Sequence, residues 1–85
     1  MKLVPQEIYD SLEKVYKTGA EKYAVDDWKY NITADDCIGA ALGHLASHIR
    51  GREVDEESGN KHLEHALTRI SMAYWLLYHK DNNES

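Results

Sequence analysis

TADDCIGAALGHLASHIRG, residues 33–51, carries a helix start, a helix period and a helix stop in unbroken order. Thr33 followed by Asp36 has the form of a capping box, in which hydroxyl and carboxylate each accept an orphan backbone amide. Ile38, Leu42, Leu45 and Ile49 then recur at the spacing of one helix face. Gly51 comes next, and glycine accepts the left-handed backbone with which helices commonly end. The stretch predicts a helix whose core face is the Ile38–Ile49 stripe.

Outward from this helix the chain reads the same way. Toward the N-terminus, Pro5 suits a first helical position, and Glu7 and Asp10 sit near the positive helix end. Ile8, Leu12 and Val15 recur at helical spacing, with Tyr9, Tyr16 and Tyr23 seven apart on a neighbouring stripe. A first helix ending near Tyr23 is predicted. AVDDWKYNI (24–32) has no sustained period and reads as a loop pinned by Trp28 and Tyr30. Toward the C-terminus, residues 52–60 form a second polar connection, where Asp55 or Ser58 is placed to cap a third helix. Leu63, Leu67, Ile70, Tyr74 and Leu77 form its apolar seam. Residues 81–85 read as a flexible polar tail. The expected fold is all-α: a compact bundle of three main helices, with room for one extra short helix, in a single helical domain over residues 1–80. A core this small favours a homo-oligomer.

The 85 residues carry a net charge of −5 and a pI near 5.4. That balance argues against a general DNA or RNA binder, which needs a basic face to displace counterions. Cys37 is the only cysteine, so a disulfide framework is excluded within one chain; it reads as a small core residue. Neither MKLVPQEIYD at the start nor MAYWLLY near the end is long and apolar enough for a secretory leader or a membrane span. A cytoplasmic setting is expected.

Chemistry concentrates in the histidines and in DEESGNKHLEH (55–65). Helical spacing puts Cys37, Ala41, His44 and His48 along one flank of the second helix, and His62, His65 and Arg69 along one flank of the third. If the two helices pack antiparallel, these flanks meet, with Asp55 and Glu57 entering from the loop. Imidazoles and carboxylates together ligate divalent metals, which activate water; the candidate ligands are His44, Asp55, Glu57, His62 and His65. Histidines and Arg69 also donate hydrogen bonds to phosphates and purine edges. Ser58-Gly59, read as a loop-to-helix junction, adds backbone amides for an anion. The plainer reading is that each histidine packs its ring and bonds a carbonyl. Trp28 is a stacking surface or a hydrophobic plug. Asp26, Asp27, Asp35 and Asp36 are magnesium candidates or helix-start acids.

The ordered set KYAVDDW (22–28), GHL (43–45) and GREVDEESGNKHLEHA (51–66) resembles a family of small phage and prophage proteins, the dATP/dGTP diphosphohydrolase-like N-terminal type. Its pattern is close to K-Y-G-x-x-N-W, R-H-L and G-E-x-x-D-x-E-S-G-x-x-H-L-x-H-A. The resemblance implies a small helical phage-type protein handling a purine nucleotide. It implies a site containing His44, Asp55, Glu57, Ser58, His62 and His65, closed by Lys22, Tyr23 and Trp28. Gly43, Ala24 and Asp27 stand where the pattern has arginine, glycine and asparagine. Glu53 and Glu56 have the E-x-x-E spacing of the all-helical nucleotide pyrophosphohydrolases, but lie in a polar connection rather than along a core helix.

Three functions follow as expectations. The first is a nucleotide-binding protein that sequesters its ligand, such as a host immune signal, without cleaving it. Its binding residues would be Lys22, Tyr23, Trp28, His44, His48, Ser58, Gly59, His62, His65 and Arg69. The second is a metal-dependent purine (d)NTP diphosphohydrolase. The third is a protein-interaction module built on the aromatic and leucine faces.

Overall fold

In the computed structural model, which describes residues 3–79, the chain folds as four helices: α1 (Gln6–Lys22), α2 (Trp28–Asn31), α3 (Ala34–Ile49) and α4 (His62–Tyr78). No strand forms among the described residues; one antiparallel bridge joins Val54 to Lys61. The fold is the all-α bundle of three main helices and one short one. The polar tail at 81–85 lies outside the described residues.

The helix boundaries have local causes. Pro5 caps α1 and Tyr23 closes it, donating its N–H to the Gly19 carbonyl. The Thr33–Asp36 capping box is formed in both directions, at 3.0 Å each way. At the other end of α3, Gly51 takes φ +89. Its N–H bonds the His48 carbonyl, and the Arg52 N–H bonds that of Ser47. These two bonds make a Schellman ending. Neither Asp55 nor Ser58 caps α4, contrary to expectation. Lys61 is the capping residue, its N–H bonded to the Glu64 carboxylate at 2.9 Å.

Helix α4 is central: α3, α1 and α2 each pack on it. The α3–α4 contact is closed by small side chains, with Cys37, Ala41, Ala66 and Ala73 all buried. Small residues let the two backbones approach closely. On the opposite flank of α4, α1 and α2 lay down Tyr16 and Trp28. These pack with Cys37, Met72, Ala73 and Leu76 as the main core. Trp28 meets Tyr16 and Trp75 edge-on at 5.7 and 5.3 Å. The Tyr16 hydroxyl bonds Ser71 at 2.9 Å, and Lys14 pairs with Glu64 at 2.9 Å.

Two expectations about the core fail. Ile38, Leu42 and Ile49 on α3, and Leu63, Leu67, Ile70, Tyr74 and Leu77 on α4, are exposed rather than buried. The reason is geometric. A pair of helices has two broad faces, and α1 and α2 cover only one of them. Tyr30 does not pin the first connection either: it is 83% exposed, while Trp28 does the anchoring. No helix among the described residues is long and apolar enough to cross a membrane.

Candidate functional site

The connection between α3 and α4 is bent back on itself into a hook. Gly59, at φ +79, makes the left-handed turn that side chains disfavour. The Asp55 N–H bonds the Asn60 carbonyl, the Gly59 N–H bonds the Asp55 carbonyl, and the His62 N–H bonds the Glu53 carbonyl. The Ser58 N–H points to the Asp55 carboxylate. The Ser58 and Gly59 amides are therefore engaged inside the hook rather than turned toward an anion at a helix start. Gly59 serves the turn.

Inside the hook a proton chain runs in one direction. The Ser58 hydroxyl donates to Asp55 Oδ2 at 2.8 Å and accepts from the Asn60 N–H at 3.1 Å. His65 Nε2 lies 2.7 Å from the Ser58 hydroxyl oxygen. With the hydroxyl proton given to Asp55, His65 must be the donor, which fixes its proton on Nε2. A hydrolytic serine triad needs the reverse order, with histidine accepting from serine and the acid holding the histidine. Here the acid holds the serine, so Ser58 is a latch rather than an activated nucleophile.

Helix α3 brings His44 against this latch. Its ring stacks on His65, centroids 4.5 Å apart and 10° from parallel. Its Nδ1 lies 2.8 Å from Nδ1 of buried His62. Burial pushes the His44 pKa below its ordinary value, and neighbouring His65 and His62 add to the shift. Burial also lowers that of His65, outweighing the upward pull of Asp55. The Ser58 hydrogen bond holds the Asp55 carboxyl below its usual range. Near neutral pH His44 and His65 are therefore uncharged beside the ionised Asp55 carboxylate.

A cleft of about 760 Å³ opens between this histidine layer and the α1–α2 connection. That volume lies within the range of small-molecule sites. Lys22, Tyr23, Trp28, His44, Asp55, Glu57, Ser58, His65 and Arg69 all line it, so the structure brings together most of the residues singled out in the sequence. His48 is exposed on α3, away from the cleft, and His62 lies behind His44. Asp26 and Asp27 also line the cleft, whereas Asp36 is committed to its capping box.

Two lining groups stand out chemically. Arg69 is half-buried and bonds the Cys37 side chain, yet among the described residues it forms no ion pair with a carboxylate. Thr68 is fully buried, and its hydroxyl has no hydrogen-bond partner. Sequence reasoning missed Thr68 and Met72 by following the large apolar residues. The available signal was spacing: Thr68 lies one turn beyond His65, and Met72 one turn further.

The histidine–acid cluster does not fit a resident metal as arranged. His44 and His62 turn their nitrogens toward each other, and His65 Nε2 is taken by Ser58. Among the described residues no group of three or more His, Cys, Asp or Glu side chains converges to hold an ion.

Comparison with known proteins places the chain in a family. The family model described as dATP/dGTP diphosphohydrolase, N-terminal, matches residues 1–85. Searches of curated proteins and of solved structures found no match. The match spans every residue that builds the latch, the histidine layer and the cleft, and the chain belongs to the dATP/dGTP diphosphohydrolase N-terminal family.

Proposed function

We propose that the chain binds a purine-type nucleotide in the cleft between α1–α2 and the histidine layer, and sequesters it without cleaving it. The observation that carries this reading is Arg69, a half-buried guanidinium without a carboxylate partner among the described residues, facing a cleft of nucleotide size. A phosphate supplies the fork acceptor that such a group lacks. Trp28 and Tyr23 offer aromatic surface for a base, and the orphan Thr68 hydroxyl offers a further polar contact. Family membership supports a nucleotide ligand.

Retention without cleavage is supported by the latch order, which leaves Ser58 without a base, and by Gly43, which stands where the family-like pattern has a cation. In this reading the protein is phage-type, works in the host cytoplasm and removes a nucleotide signal made by the host's defences. A second reading, hydrolysis of a purine deoxynucleoside triphosphate, draws on the family's description and on four carboxylates that line the same cleft: Asp26, Asp27, Asp55 and Glu57.

Isothermal titration of dGTP and dATP into the wild type, Arg69→Lys and Arg69→Ala tests the reading. Loss of a charge-assisted hydrogen bond predicts roughly ten- to hundredfold weaker binding by Arg69→Ala, with Arg69→Lys in between. Equal affinity of wild type and Arg69→Ala, or no binding of any nucleotide by the wild type, overturns it.

A further inference from the structure

We propose that the outer face of the α3–α4 pair is the seat of a second copy of this chain, so that two pairs of helices close into one four-helix bundle. The register of the pair is set by His44 opposite His62 and His65, and by Cys37 opposite Arg69 and Ala73. In antiparallel helices so aligned, Ile38, Leu42 and Ile49 point to the same side as Leu63, Leu67, Ile70, Tyr74 and Leu77. That side is opposite to α1 and α2. All eight are exposed, from 39% at Leu67 to 81% at Ile49, and none carries a charge.

Three features identify the occupant as a second copy. The first is size: eight large side chains, each about half exposed, present on the order of 800 Å², the area one partner contributes to a standard stable interface. Patches on ordinary monomers are smaller. The second is need, because the buried apolar residues described are Val15, Cys37, Ala41, Ala66, Met72 and Ala73. Four of these six are alanine or cysteine, a thin core for an 85-residue chain. The third is self-complementarity. An uncharged outer face on two antiparallel helices matches its own two-fold image without opposing like charges, and two such pairs stacked face to face form the usual four-helix arrangement. The cleft opens on the α1–α2 side of the pair, so pairing through the outer face leaves it accessible.

The test is sedimentation equilibrium of the full chain from about 0.1 to 100 µM, a range that brackets ordinary dimer affinities. Leu42→Glu, Ile70→Glu and Tyr30→Glu are run beside the wild type. The expected results are a wild-type mass of twice 9.8 kDa and an unchanged dimer for Tyr30→Glu, which lies on α2. Leu42→Glu and Ile70→Glu should weaken the dimer by roughly 100-fold or more, because each would bury an unpaired carboxylate. Ile70→Cys keeps an uncharged side chain and reads the face even if the glutamate variants fail to fold. Its labelling by a bulky maleimide should slow at least about tenfold between the dilute and concentrated ends, as mass action requires. A single-chain mass throughout, a dimer that survives both glutamate changes, or labelling independent of concentration overturns the proposal.

Discussion

Replacing Thr68 with valine should make the empty protein more stable and the loaded protein weaker. Thr68 is fully buried, and its hydroxyl oxygen bonds nothing. A buried polar group left unsatisfied costs about 1–3 kcal/mol. Valine has nearly the same shape and removes the hydroxyl, so the change opens no cavity and adds no strain. Thr68→Val should therefore raise the unfolding free energy by roughly 1–2 kcal/mol. In a domain of this size that corresponds to about 4–8 °C in Tm per kcal/mol. Thr68 lines the cleft, so the same change should weaken nucleotide binding by about fivefold to tenfold if its hydroxyl bonds the ligand, the worth of one ordinary hydrogen bond. Urea unfolding followed by circular dichroism gives the first quantity and calorimetric titration the second. A destabilised Thr68→Val protein would mean that the hydroxyl is bonded in the empty state, contrary to this expectation. A stabilised variant with unchanged affinity would remove Thr68 from the ligand site.

The histidine layer makes opposite pH predictions for stability and binding. His44 and His65 are held below their ordinary value of 6.5 when folded, so the unfolded chain takes up protons first as pH falls. Their contribution to stability is fully present above about pH 6.5 and is lost below it; acid titration of Tm should show the decline. A bound phosphate favours the charged imidazole, so nucleotide affinity should rise from pH 8 to pH 6 with uptake of protons, read by calorimetry in two buffers. Gly59→Ala should destabilise the fold by about 1–2 kcal/mol, the cost of a side chain in left-handed backbone, with a matching fall in urea midpoint. Gly39→Ala should do the reverse by about 0.5–1 kcal/mol. Gly39 is interior to α3, and an added methyl there meets no atom within 4 Å.

The helices were legible because their signals are local. Thr33, Asp36 and Gly51 specify the two ends of α3 through bonds to atoms a few residues away. The site was legible through spacing, since His44, His65 and Arg69 fall on helix flanks that do meet. What the sequence could not reveal is which face of each helix is covered. Ile38, Leu42 and Leu67 have the period of a core seam whether the partner surface belongs to the same chain or to another. Burial depends on that partner, which the pattern does not encode. The cap of α4 was misplaced for a related reason. Asp55 and Ser58 have cap chemistry, but the turn at Gly59 directs them to each other and to His65. Thr68 escaped notice because a threonine inside an amphipathic helix carries no sequence mark of an unbonded hydroxyl.

A cleft that retains a nucleotide intact is tested by following the nucleotide itself. The protein is incubated in excess with a panel of dNTPs and of cyclic and ADP-ribose-type nucleotides, with and without magnesium, and the free pool is separated by filtration. The protein is then denatured and both pools are weighed by mass spectrometry. One nucleotide should be depleted from the free pool and recovered unchanged from the denatured protein, with Arg69→Ala recovering far less. A product of new mass that grows with time would contradict retention, and so would a free pool left undiminished for every nucleotide.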